Sequence, residues 1–251
     1  MAGTPEPIRS LHNRNVVEAA RLHRARERRA QGLTLLEGPY LIVEASTAGA
    51  TIRHTFVAAD DPNPHQWPNP VVVEEAVMRK VAGTETPRGP VAVMEIPARA
   101  RLPTDRHILV VWGLADPGNV GTIIRSAAAF GFGVAVGPDS ADPWSPKTLR
   151  AGAGGHFHTT ISSIDGLGDL PGPVAATVVD GGVDPRHLED GPWAVVIGSE
   201  AHGLAADVIE KSDAAITIAM PGGTESLNAA TAAGIIAYAL TIGSEAEPSA
   251  N

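Results

Sequence analysis

A glycine-rich loop followed by a helix of small residues, in residues 218–240, constrains this fold more than any other stretch. The loop Pro221-Gly-Gly223 leads into Ser226 and Asn228, and the following helix consists mainly of Ala and Gly. Glycine lets a backbone approach a ligand closely because no Cβ stands in the way. The stretch therefore predicts a ligand-binding loop and a helix that another segment packs against at short range. Ser226 and Asn228 are also suited to capping that helix.

The composition is that of a globular protein with a core of its own. The chain has 251 residues, of which 43% are hydrophobic, and this length is enough to bury a core. No apolar run approaches the roughly 20 residues of a membrane helix, and the N-terminus lacks the apolar centre of a signal peptide. The absence of cysteine excludes disulfides, thiol catalysis and cysteine-bound zinc. We therefore expect a cytoplasmic protein without a membrane partner.

The charge is distributed unevenly along the chain. The net charge is −9, yet residues 1–30 contain seven arginines and three glutamates, a local charge of +4. A basic segment on an acidic body indicates an anionic polymer bound at one end. A solvated amphipathic helix is the alternative interpretation of the same arginines.

The order of predicted elements divides the chain into two α/β domains. Residues 8–31 have the mixed spacing of a helix or a helix pair, and alternating strands and helices follow up to Ile96. Residues 99–106 form the predicted linker between a domain of residues 1–98 and a second of residues 107–251. The second domain opens with the apolar run His107-Ile-Leu-Val-Val-Trp-Gly113, typical of a strand buried on both faces. The pattern of this domain predicts a doubly wound parallel sheet, with a helix over 122–130 and a strand over 158–161.

Three loops of the second domain contain glycines beside polar side chains. They are Asp116-Pro-Gly-Asn-Val-Gly121 with the helix after it, Ile197-Gly-Ser-Glu-Ala-His-Gly-Leu204, and the stretch described first. In a parallel sheet, ligands bind beyond the carboxyl ends of the strands, where such loops meet. The glycine spacing fits neither G-x-G-x-x-G nor a loop ending in G-K-[ST]. This argues against a kinase or another phosphate-loop enzyme.

In this order, the three segments resemble the three motifs of the SpoU/TrmH branch of the SPOUT RNA methyltransferases. Leu35-Leu-Glu-Gly-Pro39 and Thr84-Glu-Thr-Pro-Arg-Gly89 resemble parts of that family's N-terminal substrate-binding domain, which has a ribosomal-protein-like α/β fold. The resemblance covers most of residues 8–243 and is strongest from residue 107 onward. It implies a parallel SPOUT domain with a trefoil knot, an exception to the rule that chains are not threaded.

The resemblance also implies an activity and a cofactor. The family transfers a methyl group from S-adenosylmethionine to a ribose 2′-hydroxyl of RNA. When the family's features are carried over to the matching positions of this sequence, the resemblance implies that the cofactor binds within the knot. The residues implied to bind it there are Gly198, Gly203, Ile218, Met220 and Leu227.

The catalytic residues implied by the resemblance come from all three motifs: Asn119, Arg125, Glu200, Ser226 and Asn228. Guanidinium normally stays protonated, so Arg125 has two possible roles. It acts either as the base for the ribose hydroxyl, aided by a phosphate, or as a clamp for a developing alkoxide. Structural roles are the alternatives for three of the others: a turn for Asn119, a helix start for Glu200 and a cap for Ser226.

The implied partners are RNA and a second copy of the chain, packed through the catalytic domain. The arginines of the basic segment would belong to the RNA-binding surface: Arg9, Arg24, Arg26, Arg28 and Arg29. Ribosomal RNA is the expected substrate because the chain has two domains. Transfer RNA, an rRNA modification that confers antibiotic resistance, and a non-catalytic RNA-binding protein are the alternatives.

Metal binding is not expected. His156 and His158 lie two apart on one face of a predicted strand, but no third ligand follows nearby. The role of His202, in the second motif, stays open between contact with RNA and exposure to solvent.

Overall fold

The structure, a computed structural model, describes residues 6–87, 89–199 and 202–244. It separates into two compact units. The first consists of the described residues up to Ala98 together with Trp144–Arg150, and the second of Arg99–Pro143 together with the described residues from Ala151 onward.

Two segments group differently from the predicted domains. Trp144–Arg150, predicted within the second domain, groups with the first unit. There the Thr34 hydroxyl donates to the Trp144 carbonyl at 2.6 Å, and Arg150 Nη1 lies 2.8 Å from Glu37 Oε2. The predicted linker 99–106 belongs to the second unit, where Pro103 packs against Gly133.

The first unit is a four-stranded mixed sheet with helices. Its elements are α1 (Arg14–Arg21), α2 (Ala25–Gln31), β1 (Leu33–Glu37), α3 (Pro39–Thr47), β2 (Ile52–Ala58), β3 (Pro70–Val73), α4 (Glu75–Ala82) and β4 (Val91–Glu95). The strand order is β1-β4-β2-β3, with β4 antiparallel to both neighbours and β2 parallel to β3. Side chains from α1, α4 and the sheet form one apolar core around Phe56.

The second unit is a six-stranded sheet whose paired strands are all parallel. The elements of this half of the chain are β5 (Ile108–Val111), α5 (Pro117–Phe130), β6 (Gly133–Val136), α6 (Pro146–Gly152), β7 (Ile161–Ser163), β8 (Val174–Thr177), β9 (Ala194–Ile197), α7 (Ala206–Glu210), β10 (Ala214–Ile216) and α8 (Ala229–Ser244). All belong to the second unit except most of α6, which groups with the first. The order is β10-β8-β9-β5-β6-β7. Every residue of β5, β6 and β9 is buried, as expected of strands covered on both faces. The parallel α/β fold is therefore confirmed, whereas the trefoil knot stays a prediction.

Two predicted boundaries in this unit are wrong for local reasons. Helix α5 begins at Pro117 and not at 122, because Asp116 is its N-cap and proline is favoured in the first turn. The strand expected over 158–161 lies at Ile161–Ser163. A 3₁₀ helix, Gly155–Phe157, precedes it.

Candidate active site

A cavity of about 140 Å³ lies beyond the carboxyl ends of β8, β9 and β10. Its wall is mostly apolar and includes Ile197, Ile216 and Ile236, while Ser199 and Ser226 contribute hydroxyl groups. This is the edge of a parallel sheet at which ligands are expected. A mainly apolar cavity with a few polar groups is the usual form of a small-molecule site.

All five residues predicted to bind the cofactor line this one cavity. Gly198 and Gly203 come from the loop after β9; Ile218, Met220 and Leu227 come from the segment between β10 and α8. Two of the three predicted loops thus meet at the cavity, as the sequence indicated. Their role in binding a cofactor stays a prediction.

The glycines of the loop after β9 also close the loop on itself. A Cβ on Gly198 would lie 2.7 Å from the Gly203 carbonyl carbon, and Gly203 has a left-handed φ of +64°. The Gly203 amide donates to the Ser199 carbonyl at 2.8 Å. Glycine is therefore required at both positions by the backbone itself, a reason that ligand approach alone did not suggest.

Two of the predicted catalytic residues, Asn119 and Asn228, are in contact. Asn228 Nδ2 donates to Asn119 Oδ1 at 3.0 Å. Asn228 Oδ1 in turn accepts from the backbone amides of Ala230 and Thr231 at 3.0 and 3.1 Å, so Asn228 caps α8. Asn119 lies in the first turn of α5, where its backbone amide donates to the Asp116 side chain. The first and third motifs are therefore joined at the N-termini of two helices.

Helices α5 and α8 run side by side in the same direction. Asn119 contacts Asn228, a Cβ on Gly234 would lie 3.7 Å from Ser126 Oγ, and the rings of Phe130 and Tyr238 are 6.3 Å apart. The number of residues that separates the two partners is almost the same in all three contacts, as expected of two parallel helices. The Ala- and Gly-rich face of α8 thus packs against α5, which is the neighbouring segment that the small residues predicted.

The remaining predicted catalytic residues are placed differently. Ser226 lines the cavity, and Asn228, not Ser226, caps α8. Arg125 is exposed on α5, and its side chain has no hydrogen bond or ion pair with any residue that the structure describes. Glu200 lies outside the described residues. His202 is exposed, and its backbone amide donates to Ser199 Oγ at 3.3 Å.

The arginines assigned to the RNA-binding surface do not form one set. Arg24, Arg26 and Arg29 are exposed, and Arg9 is an exposed partner of Glu74 at 3.6 Å. The prediction for Arg28 is wrong because its side chain is turned into the fold.

Arg28 is 3% exposed. Its Nη1 donates to the carbonyls of Leu22 and His23 at 2.8 and 3.0 Å, and so ties α2 to the end of α1. The composition of α2 could have indicated this, since the helix lacks a large apolar residue with which to face the core.

The expected geometry of the two histidines is also corrected. His156 lies in the 3₁₀ helix and His158 follows as its C-cap, so neither histidine is on a strand. It is buried, its Nε2 lies 2.8 Å from the Pro143 carbonyl, and burial lowers its pKa to about 4. Among the residues that the structure describes, no group of three or more His, Cys, Asp or Glu could hold a metal ion. In the same part of the chain, no helix has both the length and the apolar character needed to cross a membrane.

Comparison with protein-family models identifies both halves of the chain. The SpoU rRNA Methylase family matches residues 106–238. The MRM3-like substrate binding domain matches residues 13–92. The second match confirms that the N-terminal unit is of the substrate-binding type that the resemblance implied.

Relatives and solved structures agree with this assignment. The chain is 32% identical to the 23S rRNA (guanosine(2553)-2′-O)-methyltransferase RlmP of Bacillus subtilis, over 93% of this chain and 98% of that protein. The SpoU methyltransferase AviRb from Streptomyces viridochromogenes, solved with the cofactor AdoMet, superposes with a TM-score of 0.84 at 25% identity and covers 94% of this chain and 100% of its own. An AdoMet-bound rRNA methyltransferase from Sinorhizobium meliloti gives a TM-score of 0.82 at 26% identity, with 94% and 97% covered. This chain therefore belongs to the SpoU rRNA Methylase family.

Proposed function

We propose that this protein is an S-adenosylmethionine-dependent RNA 2′-O-ribose methyltransferase that acts on ribosomal RNA. One observation carries the proposal: five residues taken from two separate sequence motifs line a single cavity at the carboxyl edge of the parallel sheet. Family membership gives that cavity a chemistry, and the names of RlmP and the Sinorhizobium meliloti protein favour ribosomal RNA.

The lining of the cavity fits the proposed methyl donor. Ile197, Ile216 and Leu227 provide an apolar surface for an adenine ring, and Gly198 lines the same cavity. Hydroxyls of Ser199 and Ser226 can form hydrogen bonds with the polar parts of the ligand. S-adenosylmethionine, when bound, supplies a methyl group on a positively charged sulfur.

The reaction then requires that the ribose hydroxyl is held beside the methyl group and that the hydroxyl proton is removed. The ribose oxygen forms a bond to the methyl carbon, the carbon–sulfur bond breaks, and the hydroxyl proton leaves to a base. Much of the rate in such a transfer comes from holding the reacting atoms in line. We propose that the contact between Asn119 and Asn228 holds the first and third motifs together for this purpose.

Arg125 is the residue proposed to act on the ribose hydroxyl. Its guanidinium is exposed and has no partner among the described residues, so it is available to RNA. It acts either as the base, aided by a phosphate, or as a cation that stabilises the developing alkoxide. Glu200 and Ser226 complete the proposed catalytic set.

We propose that the domain of residues 1–98 binds the RNA. The exposed cations Arg24, Arg26 and Arg29 support this, together with the match to a substrate-binding domain. A 2′-hydroxyl must be accessible to react, which favours single-stranded loops of the RNA. Since ribosomal RNA is the proposed substrate, we also propose a cytoplasmic location.

We further propose a homodimer that forms through the catalytic domain. Ile235, Tyr238 and Ile242 are 40%, 56% and 37% exposed, and their spacing places them on one face of α8. A second copy of the same face is a suitable cover for such an apolar stripe.

Labelled methyl donor tests the proposal directly. The protein is incubated with it and with separately purified ribosomal and transfer RNA, and the label in each RNA is counted. We expect label in ribosomal RNA with the wild-type protein and at least about a hundredfold slower labelling with Arg125→Ala. Label confined to transfer RNA would favour the alternative substrate, and an unaffected Arg125→Ala would contradict the mechanism.

A further inference from the structure

The turn over 152–157 lies directly against the backbone of α5 at Arg125. A Cβ on Gly155 would lie 2.9 Å from Arg125 Cα, 3.3 Å from Arg125 N and 3.3 Å from the Ile124 carbonyl oxygen. Backbone atoms cannot rotate away as the end of a side chain can. Any residue larger than glycine at 155 must therefore displace either the turn or the helix.

The turn is also held from its other side. His156 is 4% exposed, and its Nε2 lies 2.8 Å from the Pro143 carbonyl. Because a carbonyl only accepts, Nε2 carries the proton of this bond. A Cβ on Gly152 would lie 2.4 Å from His156 Cε1 and 3.4 Å from the Gly121 carbonyl oxygen. The histidine ring thus fills the space behind the turn, and Gly152 contacts both the ring and the first half of α5.

The backbone of the turn adopts an unfavourable conformation just before Gly155. Ala153 has φ +43° and Gly154 has φ +86°, so two consecutive residues are left-handed. An L-residue such as alanine adopts this conformation at a cost in free energy. Such costs persist where the surrounding structure fixes them, and they cluster at functional sites.

We propose that Gly155 is a positioning residue, whose missing side chain lets the turn fix the backbone of α5 at Arg125 and so the place of the guanidinium. His156 and Gly152 support the turn in that position. This inference rests on the proposed function of Arg125. It adds that the segment after α6, which belongs to none of the three motifs, sets the geometry of the reaction.

The substitution Gly155→Ala tests the inference with a minimal change. The φ of Gly155 is not left-handed, so alanine adds steric contact with α5 and no backbone strain. Gly166→Ala is the matched control because its Cβ would meet nothing within 4 Å. We measure kcat, the KM for RNA, the Kd for S-adenosylmethionine and Tm for both variants.

We expect Gly155→Ala to lower kcat by about tenfold or more, since small displacements of reacting groups have effects of this size. The Kd for S-adenosylmethionine should stay within about twofold, as should kcat of the control. A kcat of Gly155→Ala within about twofold of wild type would overturn the inference.

A double-mutant cycle separates positioning from general damage. If Gly155 acts through Arg125, adding Gly155→Ala to Arg125→Ala should slow single-turnover methyl transfer by no more than about twofold. A full multiplicative loss would overturn the inference while leaving the role of Arg125 intact. If Arg125→Ala itself retained wild-type activity, both the proposed function of Arg125 and this inference would be wrong.

A second pair of variants keeps the test valid if Gly155→Ala does not fold. His156→Leu removes the donor to the Pro143 carbonyl, and His156→Gln can keep it. We expect kcat to fall with His156→Leu while the KM for RNA is unchanged, and to recover in part with His156→Gln. Wild-type kcat in His156→Leu would contradict a supporting role for this histidine.

Discussion

Arg28 differs from the arginines around it because its guanidinium bonds to two backbone carbonyls inside the first unit. Arg24, Arg26 and Arg29 remain exposed. The sequence shows the charge of a residue, but the side on which a side chain lies depends on how the two short helices α1 and α2 are joined. The basic segment is therefore partly a surface and partly a structural link.

These two groups of arginines should respond differently to mutation. We expect the change of Arg24, Arg26 and Arg29 to Ala to weaken RNA binding. The slope of the logarithm of the RNA-binding constant against log salt should become less steep by about 2, at roughly 0.7 per lost phosphate contact. Arg28→Ala should leave the slope unchanged but destabilise the protein by about 2 kcal/mol, because two charged hydrogen bonds are lost. Salt titrations and urea unfolding measure the two effects. A triple variant with the wild-type slope would contradict the RNA-binding assignment.

His156 should make the stability of the second unit depend on pH. Burial lowers its pKa to about 4 from 6.5. Between pH 6.5 and pH 4 the unfolded chain therefore binds a proton at His156 that the folded chain does not. The contribution of the neutral, buried ring to the free energy of unfolding is complete above pH 6.5 and is lost as the pH falls toward 4. The loss by pH 4.5 should be about 2 to 3 kcal/mol.

Urea unfolding of wild type and His156→Gln between pH 7 and 4.5 measures this contribution as a difference. Groups that titrate in both proteins cancel in that comparison. Parallel stability curves for the two proteins would show that the histidine is not buried as a neutral ring.

At the scale of elements, the pair of α5 and α8 connects the first and third motifs. Their parallel packing depends on small residues, with Gly234 facing Ser126. The Ala- and Gly-rich sequence indicated close packing against some segment, but the partner is more than a hundred residues away in sequence. Periodicity within one helix cannot identify such a partner.

Substitution at Gly234 should depend on size. A Cβ there would lie 3.7 Å from Ser126 Oγ, an ordinary van der Waals distance. We expect Gly234→Ala to be neutral or to stabilise α8 by up to about 1 kcal/mol, since alanine favours helix. Gly234→Leu should destabilise by about 1 to 3 kcal/mol because it forces the two helices apart. Thermal unfolding measures both, and equal stability of the two variants would contradict close packing.

The central strands of the second unit were predictable because continuous apolar runs mark them. Runs such as Ile108–Val111 and Ala194–Ile197 suit strands buried on both faces. The turn over 152–157 was not predictable, because Ala153 adopts a left-handed φ that its residue type disfavours. The helical start at Pro117 was missed for a different reason, since Asp-Pro-Gly also suits a turn.

The two units of the chain belong to different domain types. Both units have matches among family models, one to a substrate-binding domain and one to the methylase family. The boundary near residue 98 followed from the restart of the apolar pattern. The assignment of Trp144–Arg150 to the first unit did not, because it depends on the contacts of Thr34 and Glu37 with residues far along the chain.

The proposed dimer should depend on the exposed stripe of α8. We expect Tyr238→Glu to shift the protein toward monomer in sedimentation velocity, because it places a charge in the apolar contact that the proposed dimer would bury. Val43→Glu is the matched control, since Val43 is an exposed apolar residue of the first unit, on α3. A wild-type protein that is monomeric at all concentrations would contradict the dimer.

The chemical identity of the methylated nucleoside tests the proposed activity most directly. RNA that has been incubated with the protein and labelled S-adenosylmethionine is digested to nucleosides, which are identified by mass spectrometry. We predict that the label is on the 2′-oxygen of a ribose. Label on a base, or no transfer of label to RNA, would contradict it.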